Sequence, residues 1–391
     1  MNSSGKMSVF GRAAVAEFLG DNIVYRNLKP VDERLPGLDE VRTKAGLPSG
    51  GIPRKTDPAY ASVIVHLLKR GRALENPKME IRRLVFVGDT RMNDGTAFAN
   101  ICEAGAWPGM AFIAAEDAEP AAKEVVAAGT SRSLYLANRW AALADFEGFC
   151  AEQNFHIDEA TAVVVDLDKT ALGARGRNAR AIDQARVQAV KDTVAGLLGQ
   201  AFDHGAFRRA YDELNQVEYH PFTRDNQDYL AYICLILGSG LYDLQTVVAD
   251  VKEDRLRAFE AFIEHVNGRA GELPQRLAEI HHEIYGRVRM GDPTPFKAFR
   301  RNEYLTTIGR MGFMSDDLPV EDLLELEIVI TQEVREIARK WREQGAFLFG
   351  LSDKPDEASI PTEELAAQGY LPIHQAETHA VGEWAFNTKF S

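Results

Sequence analysis

The sequence has few cysteines and no excess of positive charge. Its 391 residues include 3 cysteines, Cys102, Cys150 and Cys234, which form no CxxC pair and no Cys/His cluster. This spacing predicts small buried side chains in a reducing compartment and gives no support for structural zinc. The formal net charge is -13. A long electrostatic track along nucleic acid or an anionic membrane is therefore not expected as the main activity.

Long apolar runs are also missing. The longest uncharged stretch, YLAYICLILGSGLY at 229–242, is shorter than the roughly 20 apolar residues that span a bilayer. It favours a buried helix that breaks near Gly238. Arg12 and Glu17 interrupt the N-terminal segment where a secretory signal needs an apolar region. We therefore expect a cytoplasmic protein with no membrane partner, and the sequence leaves its oligomeric state open.

Several familiar ligand motifs are absent. Neither GARGRN nor LGSGLYD matches the GxxxxGK[ST] or GxGxxG pattern, so nothing predicts a cradle for a nucleoside triphosphate or a dinucleotide. The run His281-His282-Glu283 lacks HExxH spacing and favours a solvated helix or a core histidine. A basic stretch at 285–301 is interpreted as a solvated face. Its cations are Arg287, Arg289, Lys297, Arg300 and Arg301.

The order of local patterns predicts an α/β fold with a helical insertion. Between about 80 and 170, short β-rich runs alternate with segments interpreted as helical, AAKEVVAAG and WAALADFEGFCAEQ among them, which is typical of a doubly wound, Rossmann-like parallel sheet. Residues 171–330 carry helical periodicity without comparable strands. We therefore predict an α/β core formed by 1–170 and 331–391, interrupted by an all-helical domain at 171–330.

Two aspartates close the uncharged run TAVVVDLDKT. If the strand persists, Asp166 and Asp168 lie on one face, where their repulsion is on the order of 4 kcal/mol at about 4 Å. Such a pair is tolerated when one member is protonated or a cation lies between them, and Mg²⁺ prefers oxygen ligands of this kind. The pair therefore predicts a site.

Polar residues follow other predicted strands as well. Asp89 and Asp94 follow LVFVG, Ser352 follows FLFGL, and Lys55 precedes a predicted helix. Since ligands bind beyond the carboxyl ends of strands in open α/β sheets, these groups are expected to meet. Carboxylates, a hydroxyl and a lysine are what phosphoryl transfer requires. Lys354 is the alternative to Lys55 as the functional lysine.

These motifs resemble the haloacid dehalogenase-like (HAD) hydrolase superfamily. Its DxDxT motif corresponds to DLDKT, its Ser-terminated strand to FGLSDKP, its lysine ahead of a helix to KTDPAYASVIVHLL, and its GD loop with a second acid to VFVGDTRMNDG. The usual order is preserved only when the sequence is read cyclically. The resemblance therefore implies a circularly permuted core, with the helical insertion as a large cap that determines the substrate.

The resemblance also implies the roles of the residues. Asp166 is the nucleophile and forms an aspartyl-phosphate, while Asp168 protonates the leaving oxygen and then activates water. Ser352 and Lys55 bind phosphoryl oxygens. Thr170 belongs to the same phosphate-binding set, and its side chain orders the loop after the nucleophile.

The implied cofactor is Mg²⁺, held by Asp166, the backbone carbonyl of Asp168, Asp89, and Asp94 either directly or through water. The expected function is hydrolysis of a small phosphorylated metabolite. The alternatives are a phosphomutase, a dehalogenase, against which Asp168 argues, and a non-catalytic protein that binds a phosphorylated ligand. Substrate contacts are expected from the segment after the nucleophile loop, which contains Arg175, Arg177 and Asn178.

Overall fold

The chain forms two compact units. The computed structural model describes residues 6–46 and 50–383. The first unit takes in the chain up to 184 and from 307 onward, and the second is residues 185–306. The predicted insertion at 171–330 was therefore too long, because 171–184 and 307–330 belong to the first unit. Hydrogen bonds between these two segments, such as Asn178 Nδ2 to the carbonyl of Glu327 at 2.8 Å, explain why helical periodicity misplaced the boundary.

The strands of the described residues lie in the first unit. They are β1 (Ser8–Ala13), β2 (Ile23–Val24), β3 (Arg83–Gly88), β4 (Gly109–Ala114), β5 (Lys123–Ala127), β6 (Arg132–Ala137), β7 (Thr161–Asp166), β8 (Ile330–Thr331), β9 (Phe347–Leu351) and β10 (Thr378–Gly382). Seven of them form the main sheet in the order β2-β9-β7-β3-β4-β6-β5, and the other three form a small sheet in the order β1-β10-β8.

The α-helices alternate with these strands and also form the second unit. They are α1 (Ala16–Leu19), α2 (Leu38–Ala45), α3 (Pro58–Glu75), α4 (Thr96–Gly105), α5 (Leu143–Glu152), α6 (Ala179–Leu198), α7 (His204–Leu214), α8 (His220–Thr223), α9 (Gln227–Gly238), α10 (Leu244–Lys252), α11 (Phe259–Gly268), α12 (Gln275–Arg289), α13 (Lys297–Ile308), α14 (Val320–Leu326), α15 (Gln332–Glu343) and α16 (Glu363–Ala367). None of the described helices is both long and apolar enough to cross a membrane.

The main sheet confirms the predicted α/β class. All its neighbouring strands run parallel except β5, which is antiparallel to β6. Strand β7 lies near the middle, between β9 and β3, and all six of its residues are buried. Burial on both faces explains why its sequence is a continuous apolar run rather than an alternating one.

One segment of the sheet differs from the prediction. AAKEVVAAG was expected to be helical, but its residues Lys123–Ala127 form edge strand β5. Most of this strand is exposed, so it lacks the buried alternation by which a strand is recognised. A tight turn to β6 fixes its direction, with Gly129 and Ser131 both at positive φ. The other segment, WAALADFEGFCAEQ, contains helix α5 as predicted.

The second unit is helical: within 185–306, all of which the structure describes, there is no strand. Helix α9 is its buried centre and ends at Gly238 as predicted. His281 is a core histidine, with Nδ1 lying 2.6 Å from the hydroxyl of Tyr232. The solvated-face interpretation was wrong for Arg300, which is buried and donates to Asp228 Oδ2 from Nε at 2.8 Å.

Substitution of two glycines that lie inside helices tests how closely those helices pack against their neighbours. A Cβ added to Gly71 in α3 would lie 2.3 Å from Cζ of Phe347, whereas one added to Gly148 in α5 would meet nothing within 4 Å. We expect Gly71→Ala to lower the free energy of unfolding by about 1–3 kcal/mol through overpacking. Gly148→Ala should raise it by about 0.5–1 kcal/mol through helix propensity. Urea denaturation followed by tryptophan fluorescence checks both, and equal effects of the two changes would contradict the packing described.

Candidate functional site

Three adjacent parallel strands deliver the first site residues to one edge of the sheet. In the register, Val165 of β7 pairs with Val87 of β3, and Asp166 pairs with Leu351 of β9. Asp166 is the last residue of β7. Asp89 comes directly after the last residue of β3, and Ser352 comes directly after the last residue of β9. These three of the residues predicted to share this edge therefore do so, although they are far apart in the chain.

Lys55 is brought to the same edge by the segment that precedes α3. Its Nζ donates to Oδ1 of Asp166 and to Oδ1 of Asp94, both at 2.6 Å. Lys354, the alternative lysine, is also buried. Its backbone N–H donates to Oγ of Ser352 at 3.1 Å, and its Nζ donates to a threonine hydroxyl, that of residue 307, at 3.2 Å. Of the two lysines, Lys55 has the described hydrogen bond to Asp166.

Asp94 holds the turn after β3 in place. Its Oδ2 accepts hydrogen bonds from the backbone N–H of Asp89 at 2.9 Å, the backbone N–H of Thr90 at 2.8 Å and the hydroxyl of Thr90 at 3.1 Å. The turn packs so closely that a Cβ at Gly88 would lie 2.7 Å from Cβ of Asp94. Both oxygens of Asp94 are thus engaged, one by the turn and the other by Lys55.

The carboxylates of Asp89, Asp94 and Asp166 form a buried cluster, with one oxygen of each lying within 4.8 Å of the others. Burial raises the pKa of Asp166 well above its usual range despite the opposing charge of Lys55. Burial and Asp94 raise the pKa of Asp89 to about 7, against the charge of Arg175. For Asp94, Lys55 and the hydrogen bonds outweigh burial and lower the pKa to about 2.

The cluster could hold a metal ion. Its oxygen ligands suit a hard cation such as Mg²⁺, and a divalent charge would offset the mutual repulsion of the carboxylates. Within the described residues, no hydrogen bond reaches Oδ2 of Asp166, whereas Asp89 accepts from Arg175 through Oδ2 and also bonds to the side chain of Asp94. Oδ2 of Asp166 is therefore the atom best placed to be a ligand. Both oxygens of Asp94 already accept hydrogen bonds, so Asp94 is better suited to bind the ion through water.

The loop after β7 is ordered by its backbone rather than by Thr170. The N–H of Leu172 donates to the carbonyl of Leu167 at 2.9 Å, and Lys169 has a φ of 65°. Thr170 is fully buried, and its hydroxyl has no hydrogen-bond partner among the described residues. The hydroxyl of Thr170 therefore contributes no hydrogen bond to the order of this loop among the described residues. The carbonyl of Thr170, in contrast, accepts a hydrogen bond from the hydroxyl of Thr331.

Asp168 faces a different space from Asp166. It lines a cavity of about 20 Å³ together with Ser352, Lys354 and several aliphatic side chains. That volume is enough for about one water molecule. The two aspartates of DLDKT are thus placed differently, Asp166 buried in the carboxylate cluster and Asp168 half-buried at the cavity wall.

The three residues singled out in the segment after this loop, Arg175, Arg177 and Asn178, make two different kinds of contact. The side chain of Arg177 is buried and forms ion pairs with Glu116 at 2.7 Å and Glu333 at 2.8 Å. Asn178 donates to backbone carbonyls and accepts from the N–H of residue 329. These two residues anchor the segment. Arg175 reaches the cluster, where its Nε donates to Oδ2 of Asp89.

Comparisons with known proteins find no relative of this chain. No protein-family description matches it, and neither does any curated protein or any solved structure. The interpretation of the site therefore depends on its own chemistry and on the resemblance of its motifs.

The Lys55–Asp166 pair is expected to be strongly coupled because both partners are buried. In a double-mutant cycle of Lys55→Met and Asp166→Asn, we expect a coupling free energy of about 1–3 kcal/mol in urea denaturation. The control pair is Lys44 and Glu40, also 2.6 Å apart but with both side chains 56% exposed. Its coupling should be several-fold smaller, because solvent screens the attraction between exposed side chains. Similar coupling in the two cycles would contradict the burial of the first pair.

Removal of the Thr170 hydroxyl and removal of the Thr331 hydroxyl are expected to have different effects on the free energy of unfolding. Thr170→Val removes a buried hydroxyl that has no described partner, so the free energy of unfolding should stay the same or rise. Thr331→Val removes the hydroxyl that bonds to the carbonyl of Thr170, and it should cost about 1–3 kcal/mol. Thermal unfolding of the two variants checks this. A larger loss for Thr170→Val than for Thr331→Val would mean that the Thr170 hydroxyl has a partner after all.

Proposed function

We propose that the protein is a Mg²⁺-dependent phosphatase that hydrolyses a small phosphate monoester through an aspartyl-phosphate. The observation that carries this proposal is the buried cluster in which Asp166 lies beside Lys55, Asp89 and Asp94 at the carboxyl edge of the sheet. A carboxylate nucleophile, a fixed ammonium group and further acids for a cation form the set that phosphoryl transfer needs.

We further propose a circularly permuted HAD-like core. The strand that ends in DLDKT lies between the strand of the GD loop and the strand that ends before Ser352, which agrees with the cyclic motif order. The helical unit at 185–306 is inserted between β7 and β9, after the nucleophile. This position in the chain supports its role as a cap that determines the substrate.

In the first step, an oxygen of Asp166 attacks phosphorus, and the bond from phosphorus to the leaving oxygen breaks. Asp168 donates a proton to that oxygen, so the product leaves as an alcohol. Lys55 fixes the orientation of the attacking carboxylate, and Ser352 binds a phosphoryl oxygen. Mg²⁺, held by Asp166, Asp89 and the backbone carbonyl of Asp168, with Asp94 acting through water, would supply neutralisation of charge on the transferred group.

In the second step, Asp168 takes a proton from water, and the water oxygen attacks the phosphorus of the aspartyl-phosphate. The bond between phosphorus and Asp166 breaks, which releases inorganic phosphate and restores the carboxylate. The same residue therefore acts first as an acid and then as a base. Its half-buried position at the wall of a cavity with room for about one water molecule supports the second of these roles, the activation of water.

A panel of phosphorylated metabolites, assayed for release of inorganic phosphate, tests the proposal. We expect wild type to release phosphate from at least one small monoester with Mg²⁺ and to lose activity in excess EDTA. Formation of a positional isomer of the substrate without phosphate release would indicate a phosphomutase. Saturable binding of a phosphorylated compound without any turnover across the panel would favour the non-catalytic alternative.

The two aspartates are expected to have separable effects on rate. Asp166→Asn should abolish turnover because the amide is not a nucleophile. Asp168→Asn should lower kcat by about 10²–10⁴-fold for an alkyl phosphate and by much less for an aryl phosphate, whose leaving group needs no protonation. Steady-state kinetics of both variants on both substrates measure this. The same dependence on the leaving group in the two variants, or near-normal turnover by Asp166→Asn, would rule out these roles.

A further inference from the structure

Arg175 contacts the carboxylate cluster in an unusual way. Its Nε donates to Oδ2 of Asp89, so one edge of the guanidinium is used by a residue proposed to hold the cation. Within the residues that the structure describes, Nη1 and Nη2 of Arg175 form no hydrogen bond. The other edge of a planar, bidentate donor is therefore available.

The backbone places this side chain firmly. The N–H of Arg175 donates to the carbonyl of Lys169 at 2.7 Å, and its carbonyl accepts from the N–H of Glu116 at 3.0 Å and from Nε1 of Trp140 at 3.2 Å. The next residue, Gly176, has a φ of 79°, and a Cβ there would lie 1.9 Å from the carbonyl oxygen of Glu116. The backbone of Arg175 is therefore held in place, and its side chain extends from a fixed position.

Arg175 is more exposed to solvent than Lys55 and the three carboxylates of the cluster. Its side chain is 38% exposed, whereas those of Lys55, Asp89, Asp94 and Asp166 are at most 6% exposed. An anion that enters from solvent therefore meets the guanidinium before it meets Lys55. The three carboxylates repel a negative group that approaches them, so a cation beside them lowers this electrostatic barrier as well as providing donors.

We propose that Arg175 is an anion-binding residue that receives the phosphate group of the substrate. Its Nε holds Asp89 in place, and its Nη1 and Nη2 donate to phosphate oxygens. Paired N–H donors match an oxyanion with two acceptor oxygens, which is the arrangement that favours arginine over lysine. This inference rests on the proposed function and adds to it a residue that recognises the transferred group itself, whatever the leaving group.

Equilibrium binding without turnover tests this assignment. The probes are Mg²⁺ alone and then inorganic phosphate at saturating Mg²⁺, titrated by calorimetry into wild type, Arg175→Gln and Arg175→Lys. The control is Arg91→Gln, which removes an exposed charge from the turn between Asp89 and Asp94. We expect Arg175→Gln to weaken phosphate binding about tenfold or more, as for loss of a charge-assisted hydrogen bond. Arg175→Lys should fall between Arg175→Gln and wild type, and Arg91→Gln should stay within about twofold of wild type.

Measuring the metal separately distinguishes anion binding from a merely structural role. If Arg175 only positions Asp89, its variants will weaken Mg²⁺ binding but bind phosphate like wild type once Mg²⁺ is saturating, and the assignment is then overturned. A loss in Arg91→Gln equal to that in Arg175→Gln would likewise overturn it in favour of a general charge effect. If wild type itself binds neither Mg²⁺ nor phosphate, the proposed function fails along with the inference. Should Arg175→Gln not fold, Arg175→Lys keeps the charge and decides the question.

Discussion

The mutual repulsion of three buried carboxylates is the constraint on which the rest of this site depends. Asp89, Asp94 and Asp166 lie close together at the edge of the sheet, where burial disfavours their charged forms. Lys55 offsets part of this repulsion by bonding to two of them, and Arg175 offsets part by bonding to the third. The remaining charge imbalance is what a divalent cation would relieve, so the repulsion that destabilises the cluster is also the feature that would give it affinity for metal.

The topology of the sheet brings these carboxylates together. Parallel neighbours β3, β7 and β9 end at one edge, so a polar residue placed after each strand joins the same site whatever its order in the chain. Permutation therefore changes the connections without separating the groups. The close approach of Gly88 to Asp94 and the backbone bonds around Lys169 and Arg175 fix the loops. We consider this rigidity part of the proposed mechanism, because a nucleophile must be held in an orientation suited to attack.

The sequence predicted which residues would meet at the edge of the sheet better than it predicted the boundaries of the two units. Asp166, Asp89, Ser352 and Lys55 could be identified because each follows an apolar strand or precedes a helix, and both signals are local. The contacts of Arg177 could not be predicted, because its partners Glu116 and Glu333 are distant in sequence. The local sequence also does not show whether an arginine side chain is buried or exposed. Strand β5 was missed because both its faces are largely exposed. Residues 171–184 and 307–330 were misassigned because helical periodicity does not show which unit a helix packs in.

The most direct test of the account is the site of covalent phosphorylation. The protein is mixed with Mg²⁺ and a turned-over phosphate monoester, quenched in acid within the first turnovers, digested, and analysed by mass spectrometry. We predict one phosphoryl group on the peptide that contains DLDKT, located at Asp166 and absent when Mg²⁺ is removed. Turnover without any phosphorylated peptide, or a phosphoryl group on another residue, would contradict the claim that Asp166 is the nucleophile.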